Sequence, residues 1–249
     1  ALDASARQKL AEQLKCDVAE LAPLKDQERE DLYAAFNTRL PDSAPPHPKA
    51  AIDFRRTYFA TETRFDGFVF PEHASFEAAT FSEWADFQAA TFSDNAFFAF
   101  ATFSNPALFN HATFSGPAVF GHATFSDNAI FDSATFSCWA IFDSATFSRP
   151  AFFNHAKFNH LANFDDATVS FSTSADFEGA TFRLSSSADF KTCTFSDSAI
   201  FTSAIFSGGA NFSDGAFQGT TNFKNATFEK QVPKFFQREL HQDTVFTIE

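Results

Sequence analysis

The sequence predicts an all-β solenoid, a stack of short strands wound into successive coils. Two regularities predict it. Phe recurs at steps that alternate between five and six, from Phe54, Phe59, Phe65 and Phe70 onward to Phe158 and Phe164. Ala stands two positions before most of these rings, as at Ala79, Ala85, Ala90, Ala96, Ala101, Ala107 and Ala112. A helix repeats near 3.6 and a strand near 2, so neither accounts for the rhythm. The third observation is compositional. Of 249 residues 40 are Phe, while Met is absent and Trp and Tyr number two each. One buried environment is being repeated.

The unit is A-x-F-x-x, with one extra residue after every second unit. Ala and Phe two positions apart point to the same side of an extended segment. The two or three small polar residues that follow make a corner. No such strand buries its face alone, and stacked coils solve this by covering one another. The rings Phe81, Phe87, Phe92, Phe98, Phe103, Phe109, Phe114, Phe120, Phe125, Phe131, Phe136, Phe142, Phe147 and Phe153 are the expected core. Burying each contributes ~2 kcal/mol, and Ala leaves room for the neighbouring ring.

Across residues 54–228 these A-x-F units resemble the pentapeptide-repeat family. The resemblance implies a right-handed, four-sided parallel β-helix with inward centre residues and small residues two before them. The family's usual step is five. Here the step alternates, so a four-sided coil takes about 22 residues, within the range of solenoid periods. The extra residues widen the corners at two opposite edges. A two-sided coil of about 11 residues is the rival reading. The frame is interrupted near Ser170–Ser174 and Leu184–Ser187, each time in the longer gap. Both insertions are expected as small loops on opposite corners of one turn. The frame resumes at Phe190 and Phe195, and it degenerates after residue 229 at Phe235, Leu240 and Phe246. The chain stops in mid-coil, which suggests that the natural protein continues.

Ahead of the repeats, residues 1–40 read as a helical hairpin, a cap or arm. Leu10, Leu14, Val18 and Leu21 share one helical stripe and Pro23 ends it. Asp26 can cap a second helix carrying Leu32, Tyr33 and Phe36. Residues 41–49 form a Pro-rich linker, and the solenoid takes up residues 50–249. An open solenoid end exposes core and strand edges, so the hairpin is expected to close the first coil, unless it is a separate docking module.

Net charge is -13 and the pI about 4.8, which argues against direct binding of nucleic acid or anionic lipid. Cys16, Cys138 and Cys193 suggest neither a disulfide framework nor a zinc site. No apolar run is long enough to span a membrane. No metal site, cofactor or catalytic constellation is expected: His111 and His155 share a corner but lie two coils apart, roughly 10 Å. Outward positions remain. Two opposite faces carry Thr rows, one of Thr80, Thr102, Thr124, Thr146, Thr168 and Thr194, the other of Thr91, Thr113, Thr135 and Thr181 with Lys157 among them. The other two faces carry apolar rows, Phe97, Val119 and Ile141 on one and Leu108, Ile130 and Phe152 on the other. These six are the candidate interface residues, because exposed apolar rows mark contact surfaces.

The expected function is a non-enzymatic interaction rod for a protein partner or a second copy of the chain. Two other classes compete. Some members of the resembled family mimic DNA and shield DNA gyrase. Here residues 71–230 hold 16 acids against 6 bases, sparse beside one charge per ~1.7 Å of duplex. Regular Thr rows also resemble those of ice-binding solenoids, although exposed strands favour Thr for its own sake. The resemblance implies a bacterial, cytoplasmic protein, or one that a longer chain anchors in a membrane.

Overall fold

Alternating steps of five and six close into four sides. A computed structural model describes residues 52–169, 174–183, 188–229, 233 and 245–246. Their strands, nearly all two residues long, form four parallel sheets. Sheet 1 opens with Ile52–Asp53, sheet 2 with Tyr58–Phe59, sheet 3 with Thr63–Arg64 and sheet 4 with Val69–Phe70. The chain visits them in that order and then returns to the first. Along the regular coils each strand therefore pairs with the one four strands later, Thr102 with Thr124 and Ala107 with Ala129. Sheets 1, 2 and 4 hold eight strands each, and sheet 3 adds a ninth, Val245–Phe246. Eight coils at ~4.8 Å each rise about 38 Å. Four sheets exclude the two-sided coil. The hairpin at 1–40, the linker at 41–49 and the insertions at 170–173 and 184–187 lie outside the described residues.

The two kinds of corner differ in backbone. From sheet 1 to 2 and from sheet 3 to 4 the turn is tight, closed by an N–H three positions past the Phe. The Ala101 N–H donates to the Phe98 carbonyl (3.1 Å) and the Ala112 N–H to that of Phe109 (3.1 Å). The second residue past the Phe is left-handed, as at Phe100 (φ 57°) and His111 (φ 59°). An L-residue there costs roughly 1–2 kcal/mol. The stack holds it in place, because its N–H bonds the next coil: Phe100 to the Gly121 carbonyl (3.0 Å), His111 to that of Asp132 (2.9 Å). The other two corners carry the extra residue and include Pro106, Pro117 and Pro150. That position supplies a carbonyl to the ladder, Pro106 accepting from Ala85 (3.1 Å) and Pro150 from Ala129 (3.1 Å). Proline, which lacks only the N–H, fits it.

Both insertions fall at wide corners, one between Val169 and Ala175, the other between Phe182 and Ala188. They lengthen the coil without breaking the register. Ala151 pairs with Ala175 and Thr168 with Thr194, and the regular spacing returns at Ala188 and Ala210.

The rings form one column per side. Phe81, Phe103, Phe125 and Phe147 stack at 4.8 to 4.9 Å with planes within 1° of parallel. Columns 1 and 3 meet edge to face in the middle, Phe98 on Phe109 at 5.3 Å and 85°. Both geometries suit the ring quadrupole. One slot departs from the pattern. Val169 stands in column 2 between Phe147 and Phe195, leaving an apolar cavity of about 10 Å³. Cys193 fills the Ala slot one coil later and lines the same gap. Burial pushes its thiol far up from the usual range.

Candidate interaction faces

With Ala and Phe pointing inward, the residue before each ring on sheets 1 and 3 points outward. On sheet 3 this places Leu108, Ile130 and Phe152 in direct register. Asp86 precedes the row and Asp176 follows it, each paired with the row's end residue. All five side chains are half-buried. Polar groups stitch the neighbouring turns. The Asn110 amide donates to the Gln88 side-chain oxygen (2.9 Å), and the Asn154 N–H to the Asp132 carboxylate (2.9 Å). Partial burial raises the Asp132 carboxyl above its usual range, against the opposing pull of the Asn154 N–H, His155 and His111. Asp176 is raised by the same cause, against the Glu178 N–H and with the charges of Glu178 and Asp132 adding to it.

Sheet 1 is different. Phe97, Val119 and Ile141 are also in register, but they are buried rather than exposed, at 5%, 3% and 1%. With Ala99 they form a second apolar cluster outside the tube, flanked by half-buried Phe100, Trp139 and Leu161. The two rows, alike in sequence, differ in cover.

The Thr rows stand in register as expected, Thr80 through Thr194 on sheet 2 and Thr91, Thr113, Thr135, Lys157 and Thr181 on sheet 4. His111, Ser133 and His155 occupy the same left-handed corner position in successive coils. Among the described residues no group of three or more His, Cys, Asp or Glu is placed to hold a metal, and no helix is long and apolar enough to cross a membrane.

Sequence reasoning missed the exposed apolar side chains of the first two coils. Tyr58, Phe68, Val69 and Trp84 stand out there, Trp84 at 51% beside a shallow hollow with Glu62, Arg64 and Glu83. The signal was available: Phe68 and Trp84 break the small-residue pattern of their slots.

Residues 101–146, the most regular coils, match the family model of pentapeptide repeats, described as 9 copies. That segment is made of pentapeptide repeats. Comparison with curated proteins and with solved structures gives no match. The matched segment holds most of both apolar rows, Leu108, Ile130, Val119 and Ile141 among them. A β-solenoid built of such repeats suggests a structural or interaction protein.

Proposed function

We propose that the chain is a non-enzymatic rod that docks a protein partner on sheet 3. The observation that carries this reading is the registered row Leu108, Ile130 and Phe152, half-buried and bounded by Asp86 and Asp176. Such a row fits a partner surface that is apolar at its centre and basic at its ends. A second copy of this chain, whose own row ends in carboxylates, fits less well. The gyrase-directed DNA-mimic reading has less support, because the sheet 3 acids are interrupted by apolar positions. The ice-binding reading rests on the Thr register alone.

The test compares affinity capture and light scattering of the full chain with those of Ile130→Asp and Thr124→Asp. A complex lost with Ile130→Asp and kept with Thr124→Asp supports the docking row. A strict monomer with no partner counts against it. Inhibition of gyrase supercoiling by the unmodified chain would move the function to the DNA-mimic class. A freezing gap lost in Thr124→Tyr would move it to the ice-binding class.

A further inference from the structure

Sheet 1 carries a buried strip that has no counterpart on sheet 3. It runs through Ser75, Phe97, Val119 and Ile141 before the rings and Arg55, Glu77, Ala99, Gly121 and Asp143 after them. The next coil ends it, since Asn163 and Asp165 are half-buried. The same positions on sheet 3 are half-buried or exposed throughout the matching coils. Ala99 and Gly121, with almost no side chain of their own, are buried in turns whose counterparts Asn110 and Asp132 are not. Phe100, Trp139 and Leu161 flank part of the row on sheet 1, but they do not reach the whole strip, whose first coils bury Arg55, Glu77 and Ser75 as well. A further cover on sheet 1 that sheet 3 lacks accounts for the difference.

The strip spans five coils, four steps of ~4.8 Å or about 19 Å. The stripe Leu10, Leu14, Val18 and Leu21 would extend, as a helix, over about 17 Å at ~1.5 Å per residue. The chain enters the solenoid at Ile52, in the first strand of sheet 1, so the preceding residues arrive on that side. As an extended polyproline segment, residues 41–49 would span up to about 28 Å at ~3.1 Å per residue, enough for the segment ahead of them to run back along the rod.

We propose that residues 3–22 dock lengthwise on the outer face of sheet 1, with Leu10, Leu14, Val18 and Leu21 against Phe97, Val119 and Ile141. The second stripe, Leu32, Tyr33 and Phe36, is then left for the open end, where Phe54, Phe59 and Phe65 are as buried as rings in mid-rod. Docking reserves sheet 1 for the chain itself and leaves sheet 3 for a partner.

The test is thiol protection in the full chain. Leu14→Cys is made in a Cys16→Ser, Cys138→Ser background, where Cys193 stays silent because it is buried. The new thiol is expected to react with a maleimide at least about tenfold more slowly than after Ile141→Asp is added. Ile130→Asp, the same charge on sheet 3, is expected to leave protection unchanged. Should Ile141→Asp lose the far-UV β spectrum, Val119→Asn takes its place. Full-rate labelling of the parent overturns the proposal, as does protection indifferent to the sheet 1 substitution. Protection that vanishes on dilution of a dimer also overturns it, since the cover would then be a second copy.

Discussion

Sheets 1 and 3 face opposite ways from one tube and carry nearly the same outer row. Phe97, Val119 and Ile141 on one are matched by Leu108, Ile130 and Phe152 on the other. Inside, the two are equivalent, their ring columns meeting edge to face at 5.3 to 5.4 Å. Outside, one row is buried and the other half-buried. In a repeat rod, therefore, the repeat sets which side chains point out but not which of them meet solvent.

The largest effect is expected where the two sheets are equivalent. Phe120→Ala in column 1 and Phe131→Ala in column 3 are each expected to cost roughly 3–5 kcal/mol in chemical denaturation. A large gap between them would break the symmetry of the interior. The outer rows come next and should not be symmetric. Ile141→Asp is expected to cost at least ~2 kcal/mol, as a charge placed in a buried apolar cluster. Ile130→Asp, half-exposed, is expected to cost less than ~1 kcal/mol. Equal costs would remove the distinction between the faces.

Column 2, between the two, offers a smaller test. Val169→Phe alone is expected to overpack the gap that Cys193 shares, costing about 1–2 kcal/mol. With Cys193→Ala most of that loss is recovered, so a double-mutant cycle should give a coupling near ~1 kcal/mol. Additive effects would mean that the two sites do not share the space.

The smallest effect concerns Asp132 on sheet 3. Its carboxyl is raised by partial burial, so the folded chain holds the proton more tightly than the unfolded chain does. Ionisation then costs stability at neutral pH, and the cost disappears as pH falls through the raised value toward the ordinary 3.8. Asp132→Asn, which keeps an oxygen for the Asn154 N–H, is expected to stabilise by no more than ~0.5 kcal/mol at about pH 7. The gain should fade by about pH 4 in melts across pH. A gain that grew on acidification would reverse the sign.

The coil length, the inward rings and the two opposite wide corners could all be read from Phe spacing, because spacing acts directly on backbone geometry. Left-handed corners could not. Ala78, Phe100 and Thr192 adopt φ of 52°, 57° and 54° without the Gly or Asn that usually announces them. Their strain is offset by hydrogen bonds between coils, which no local pattern reports. The candidate rows were legible as outward and apolar, yet the burial of one and not the other was not, since the repeat unit is nearly the same on both sheets. A hint was present in Ala99 and Gly121 on sheet 1, small where sheet 3 has Asn110 and Asp132.

Hydroxyl-radical footprinting of the unmodified full chain tests the contrast most directly, because Phe97 and Phe152 are the same residue in equivalent outer positions. The account predicts that Phe152 is oxidised several-fold faster than Phe97, with Ile130 ahead of Ile141 in the same sense. Equal rates within each pair would contradict it.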